Sequence, residues 1–306
     1  MSRSTTISQS DSAVSHLATG TLWQTWSCHL AERSPPLFGQ IVTWLLLFTG
    51  LVMTVQSFDM SAGPRNPAPS TVISWLPTEI LSAHWPFYLF RAMFLVGGAA
   101  WGLNRGLRWS CWLAVAGFTG LWGMHLENTW AGAHIFHAAN NLLIIQALWT
   151  TFYHREITAA WRTSAYWQTP IYPRWVFLLS LAYLGLFHTY AGLAKIVFSG
   201  WGWANGTSLQ LWTHMEGFRW SPTTQLLLNS KLAAYWLQVF TLIAETGAIL
   251  ALPFAKLRVP FGLMLLGFYA GVILTFPYGF EFNMLFTALF FLPVESWLRN
   301  CRYSLR

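Results

Sequence analysis

Residues 175–197 read WVFLLSLAYLGLFHTYAGLAKIV, an apolar run interrupted by His188 near its middle and Lys195 near its end. About 20 apolar residues in a helix, at 1.5 Å each, cross the roughly 30 Å hydrocarbon core of a bilayer. The run therefore predicts a membrane-spanning helix that carries ionisable groups inside it. Working outward, similar segments lie near 38–58, 85–103, 109–124, 134–152, 235–255, 260–276 and 282–297. The sequence thus predicts an all-α integral membrane protein, a bundle of about eight transmembrane helices.

Composition supports this class and excludes others. Charged residues make up 9% of the 306 residues and hydrophobic ones 55%, where an ordinary soluble domain has about 25% charged. So few charges cannot cover a soluble globule, and the apolar and aromatic load excludes a disordered chain. The net charge of +7 includes no basic run, so a nucleic-acid partner is not expected. Cys28, Cys111 and Cys301 stand alone, supporting neither a zinc site nor a disulfide framework.

The predicted organisation is a polar leader (1–36), a transmembrane domain (37–297) and a short tail (298–306). The leader is Ser/Thr-rich and lacks the apolar core of a cleavable signal peptide. Its stretch 22–32 reads as an interfacial helix, with Trp23 and Trp26 at headgroup depth. Eight spans place twelve cations on one side: Arg3, Arg33, Arg105, Arg108, Arg155, Arg162, Arg174, Lys256, Arg258, Arg299, Arg302 and Arg306. Arg65, Arg219 and Lys231 fall on the other. The positive-inside rule then makes both termini cytoplasmic, with the plasma membrane the expected location. Two long outer loops follow, 59–84 and 198–234, the second rich in Trp and expected along the membrane surface.

Ionisable groups at bilayer depth are costly and normally face protein or a watery cavity. Arg91 is in the second span and His134, His137, Asn140 and Asn141 open the fourth. His188, Tyr190 and Lys195 are in the fifth, and Glu245 in the sixth. Helix rise places all of them in the outer half of the bilayer or at its midplane, Lys195 about 3 Å in and Glu245 about 15 Å in. His188, Gly192 and Lys195 recur at i, i+4 and i+7, so they share one face. His134, His137 and Asn141 do likewise. Together they predict a polar chamber open outward. The plainer readings are that Lys195 snorkels to the interface, that the Asn pair is interhelical glue, that Glu245 or Arg91 pairs structurally, and that the histidines cap a helix. His134 and His137, with His188, have the spacing to face one metal ion, but no HExxH motif accompanies them, so no metal or haem is expected.

The segment Tyr190-Ala-Gly-Leu-Ala-Lys195, then Trp203-Ala-Asn-Gly206, resembles the HTTM domain, the membrane domain of vitamin K-dependent gamma-carboxylase-like proteins. Gly102-Leu-Asn-Arg105, Glu127-Asn-Thr-Trp130 with His134, and Phe276-Pro-Tyr278 before Phe282-Asn-Met-Leu285 follow in the family's order. The likeness covers roughly 36–297. It implies a quinol- or oxygen-linked enzyme, a carboxylase/epoxidase-like oxidoreductase in which Lys195 is the base that deprotonates a vitamin K-like quinol. By the same resemblance His134 or His137 stabilises developing charge, while the polar chamber read from the spans themselves supplies Arg91, Asn141, His188, Tyr190 and Glu245 as pocket residues. The chain departs from the family in three ways. Phe38-Gly39-Gln40 stands where a Phe-Arg pair is usual, a late-helix histidine is missing from 256–290, and no β-rich region follows the membrane domain. The resemblance therefore implies a smaller reaction than peptide carboxylation. From a different class, a non-catalytic membrane partner, immunity or small-solute transport component on the same scaffold fits this sequence too.

Overall fold

The computed structural model describes residues 30, 32–56, 83–128, 134–163 and 166–303. Nearly all of the expected interfacial helix at 22–32 and most of the 59–84 loop lie outside the described residues.

Eight long or apolar helices follow the order read from the sequence. They are α1 (Leu37–Gln56), α2 (Trp85–Gly102), α3 (Leu107–Asn128), α4 (His134–Trp161), α5 (Arg174–Ser199), α8 (Lys231–Gly247), α9 (Ala255–Thr275) and α10 (Glu281–Phe291). Between α5 and α8 lie the short α6 (Thr207–Glu216) and α7 (Pro222–Asn229), and α11 (Val294–Tyr303) closes the described chain. Strands β1 (Arg33–Ser34) and β2 (Tyr172–Pro173) form a small antiparallel pair, Arg33 opposite Pro173 and Ser34 opposite Tyr172. Among the described residues, four helical stretches are long and apolar enough to cross a membrane: 37–55, 174–203, 231–251 and 255–275. Helices α2 to α4 have the length but carry more polar residues, and α10 is apolar but has only 11 residues.

Sequence explains the ends of these elements. Pro86 and Pro222 occupy the first turns of α2 and α7, where a missing N–H costs nothing. The Ser230 hydroxyl caps α8 by accepting the Ala233 N–H at 3.2 Å. Pro293 ends α10, since it cannot donate to the helix and restricts the residue before it.

Neighbouring helices run antiparallel, as their cross-contacts require. Trp44, early in α1, donates to the Gly102 carbonyl at the end of α2, while Arg91, early in α2, reaches Thr54 late in α1. Trp112 bonds Thr151 and Thr119 bonds Asn140 between α3 and α4. Helices α2 and α3 approach most closely: a Cβ on Gly117 would lie 2.3 Å from the Phe94 backbone nitrogen, and one on Gly97 2.5 Å from that of Ala114. At the end of the bundle that holds β1 and β2, Phe38, Phe177 and Phe290 meet with ring centroids 5.6–5.7 Å apart. The outer wall carries exposed Phe48, Val55, Val96 and Leu186, the side chains a lipid surface would cover.

Several expected boundaries move. Lys256 and Arg258, read as a loop, lie in the first turn of α9, and Pro260 is tolerated near that helix start. Arg155 belongs to α4 and Arg174 opens α5. The third span is longer than expected, and the eighth breaks into α10 and α11 at Pro293. The 198–234 loop is mostly helical, with Trp201, Trp212 and Trp220 exposed.

Candidate functional site at the end of the fifth helix

The face of α5 read from the sequence meets α8. A Cβ on Gly192 would sit 2.8 Å from the Thr246 nitrogen and 3.0 Å from the Glu245 Cβ, so only glycine allows this approach. Below it, Gly185 faces Ala248 and Ile249. Helix α8 changes here into a 3-10 turn, residues 248–251. Thr189 bridges the change: its hydroxyl lies 3.2 and 3.3 Å from the Glu245 and Thr246 carbonyls and accepts the Ile249 N–H at 3.1 Å. The close contact brings Lys195 against Glu245. The ammonium donates to the carboxylate and forms an ion pair with it. The Glu245 side chain is 4% exposed and that of Lys195 25%.

The Lys195 head also lies over the Trp203 ring, 5.3 Å from its centroid, a cation–π contact. It opens into a cavity of about 610 Å³ whose walls include Trp203, Trp212, Phe268, Phe276, Tyr278 and Phe280. The polar Gln238 on this wall is committed to structure. Its oxygen accepts the Gly206 N–H at 2.7 Å, and its nitrogen donates to the Trp203 carbonyl and the Ser208 hydroxyl, both at 2.9 Å. Those bonds lock the 200–208 segment onto α8. Gly206 takes a positive φ of 75°, open to glycine at little cost.

Behind the ion pair lies a second polar group. His188 is buried, with Nε2 3.4 Å from the Tyr269 hydroxyl. The Asn283 and Thr287 side chains of α10 reach that hydroxyl.

The other nominated residues divide. His137 stacks on Trp122 at 5.3 Å and meets the edges of Phe187 and Tyr183, an aromatic setting away from the cavity wall. Asn141 donates to the Tyr183 hydroxyl at 3.1 Å, as interhelical glue does. His134 is the first residue of α4, and its side chain lies outside the described residues. Arg91 donates to the Thr54 carbonyl at 2.6 Å and lies over Phe87, holding α1 to α2 rather than lining the Lys195 cavity. Tyr190 is a correction: it is 76% exposed and turned away from the bundle, because one residue past Thr189 on α5 the helix presents its outer face. Among the described residues no three His, Cys, Asp or Glu side chains converge as metal ligands.

Sequence reasoning missed Trp203 as the ring under the ammonium, and Tyr269. Tyr269 lies in an apolar run and reads as packing. For Gln238 a signal existed, since it precedes Glu245 by seven residues and so shares its face. Compared with protein-family models, curated proteins and solved structures, the chain matches none.

The arrangement has defined chemical capacities. An amine head faces a largely apolar cavity while its carboxylate partner is shielded behind it. A hydroxyl entering the cavity meets Lys195 first, and a proton released there is received by a pair already sharing one. Apolar walls lower the local dielectric, so electrostatic interactions beside them are stronger than in water.

Proposed function

We propose that the protein is an eight-span HTTM-like enzyme with cytoplasmic termini, acting on a lipid-soluble quinol or a similar hydroxyl-bearing aromatic reductant. The observation that carries this is the Lys195–Glu245 pair at the wall of an aromatic-lined cavity. Cavities of this size hold one drug-sized ligand, mostly by apolar contact with a few placed polar groups. Alternating helix direction and the positive-inside count support eight crossings and this orientation.

In this reading the quinol ring lies between Trp203, Phe268 and Phe280, with one hydroxyl against the Lys195 head. The O–H bond breaks, the electron pair stays on the quinol oxygen, and the proton joins the Lys195–Glu245 pair. A lysine already paired with a carboxylate is no free base, so Glu245 is the final proton store and Lys195 both relays the proton and steadies the quinolate. His137, which the resemblance nominated as a stabiliser, has its ring committed to Trp122 and belongs to the supporting shell.

The test is purified protein in lipid with menaquinol and oxygen. Quinone epoxide, abolished by Lys195→Ala and by Glu245→Gln, is the expected outcome. No turnover with several quinols, together with full cellular function of Lys195→Ala, refutes the enzyme reading. The same ion pair supports a second reading: a charged, satisfied pair is also how a non-catalytic binding or transport component would hold a polar ligand. Under that reading the cavity binds quinol in both wild type and Glu245→Gln without consuming it.

A further inference from the structure

At the opposite end of the bundle, about 30 Å along α5 from Lys195, a second cavity has a different character. It measures about 530 Å³ and lies between the α2–α3 turn and the last turns of α4. Its charged walls are Arg105, Arg108 and Arg162, with His154 beside them and no carboxylate. None of the three guanidiniums forms an ion pair among the described residues. Three cations around one hollow, with no carboxylate partner among the described residues, repel each other unless an anion joins them.

The backbone adds to this field. Asn104 and Gly106 take positive φ values of 52° and 54°, and the chain turns directly into α3. The Trp109 and Ser110 N–H groups return to the Gly106 carbonyl, leaving those of Leu107 and Arg108 at the helix start, where the macrodipole favours negative charge. Asn104 lines the same cavity. It is 8% exposed, yet its amide nitrogen has no hydrogen-bond partner. A buried donor with no acceptor is costly in a native fold unless a ligand or water supplies one. Exposed Trp109 and Trp161 flank the opening, as aromatic side chains do at headgroup level.

We infer that this cavity is a binding site for a phosphate-bearing anion, either the headgroup of an anionic phospholipid or a soluble phosphate compound. The phosphate is held by Arg105, Arg108 and Arg162 in charge-assisted hydrogen bonds, with the Asn104 amide and the start of α3 as neutral donors. The site is independent of the Lys195 cavity.

The experiment is calorimetric titration of the full-length protein in dodecyl maltoside micelles with dioctanoyl phosphatidic acid and, separately, with inorganic pyrophosphate. Saturable one-site binding of the lipid alone supports the site with a headgroup as its source. Binding of pyrophosphate as well supports it with a soluble source. Arg105→Gln and Arg108→Gln each weaken binding about tenfold or more, the loss of one charge-assisted hydrogen bond. Asn104→Gly keeps the left-handed backbone and weakens binding less, with unliganded melting unchanged. Arg155→Gln, on the same face but outside the cavity, leaves affinity intact. Saturable binding by neither probe overturns the proposal. So does an Arg155→Gln loss equal to that of Arg105→Gln, which would mean only a diffuse basic surface.

Discussion

Removing the Lys195 ammonium leaves the Glu245 carboxylate, 4% exposed, without its partner. Breaking a buried pair from one side costs about 3–5 kcal/mol. Lys195 is a quarter exposed, so Lys195→Met takes the low end, about 3 kcal/mol or roughly a hundredfold in the unfolding equilibrium. Glu245→Gln is milder, about 1–2 kcal/mol, because the remaining lysine extends its stem and hydrates its head. The double variant leaves no orphaned charge and is no worse than Lys195→Met alone. A coupling energy of about 2 kcal/mol follows from the cycle. Unfolding equilibria in dodecyl sulfate and dodecyl maltoside mixed micelles, read by tryptophan fluorescence, measure all four proteins. Single effects that add to within about 0.5 kcal/mol, or a Glu245→Gln loss exceeding that of Lys195→Met, would refute the claim that burial of the carboxylate sets the energetics.

Gly192→Ala drives a methyl group against the Thr246 backbone and costs about 1–3 kcal/mol by overpacking; the same mixed-micelle unfolding shows it, and Lys195→Met adds less in that background because the pair is already pushed apart. The Arg258 guanidinium donates to the Phe291 and Leu292 carbonyls at 3.1 and 2.7 Å, closing the end of α10. Arg258→Lys should therefore lose about 1 kcal/mol or more despite keeping its charge, since the planar fork is lost, and thermal melts compare it with Arg258→Met. Tyr166, in the turn before β2, is buried and donates to Gln40 at 2.9 Å, and burial raises its phenol above the ordinary value. A raised folded value means the unfolded chain gives up this proton first, so stability is whole below about pH 10 and falls as pH rises beyond it. Tyr166→Phe flattens that alkaline fall in a pH series of melts.

The fold was legible wherever periodicity and apolar length are the only rules. All eight expected segments contain a helix, and the α5 face that the i, i+4, i+7 spacing defines turns inward, Gly192 and Lys195 against α8 and His188 against Tyr269 of α9. Glu245 stood among the expected wall residues, but its pairing with Lys195 links positions 50 apart, and one chain's periodicity cannot specify register between two helices. The spacing put His137 and Asn141 on one face, and they meet Trp122 and Tyr183 of neighbouring helices rather than the Lys195 cavity, pairings that periodicity within one helix cannot specify. Tyr190 shows the reverse error: a motif placed it at the site, while helical phase places it on the outside. Boundaries slipped where polar residues sit inside helices, as at Arg155, Lys256 and Arg258, because charge reads as loop even when the backbone continues.

At 11 residues, α10 is about 16 Å long, half the depth of a bilayer's oily interior. Where a bilayer encloses it, at least one of its ends stops at a level where free carbonyls find no solvent. The guanidinium of Arg258 meets this need at one end. At the other, the bend from Phe276 to Phe280 borders the Lys195 cavity. Most of α10 is buried against its neighbours, so protein rather than lipid surrounds the broken backbone beside it.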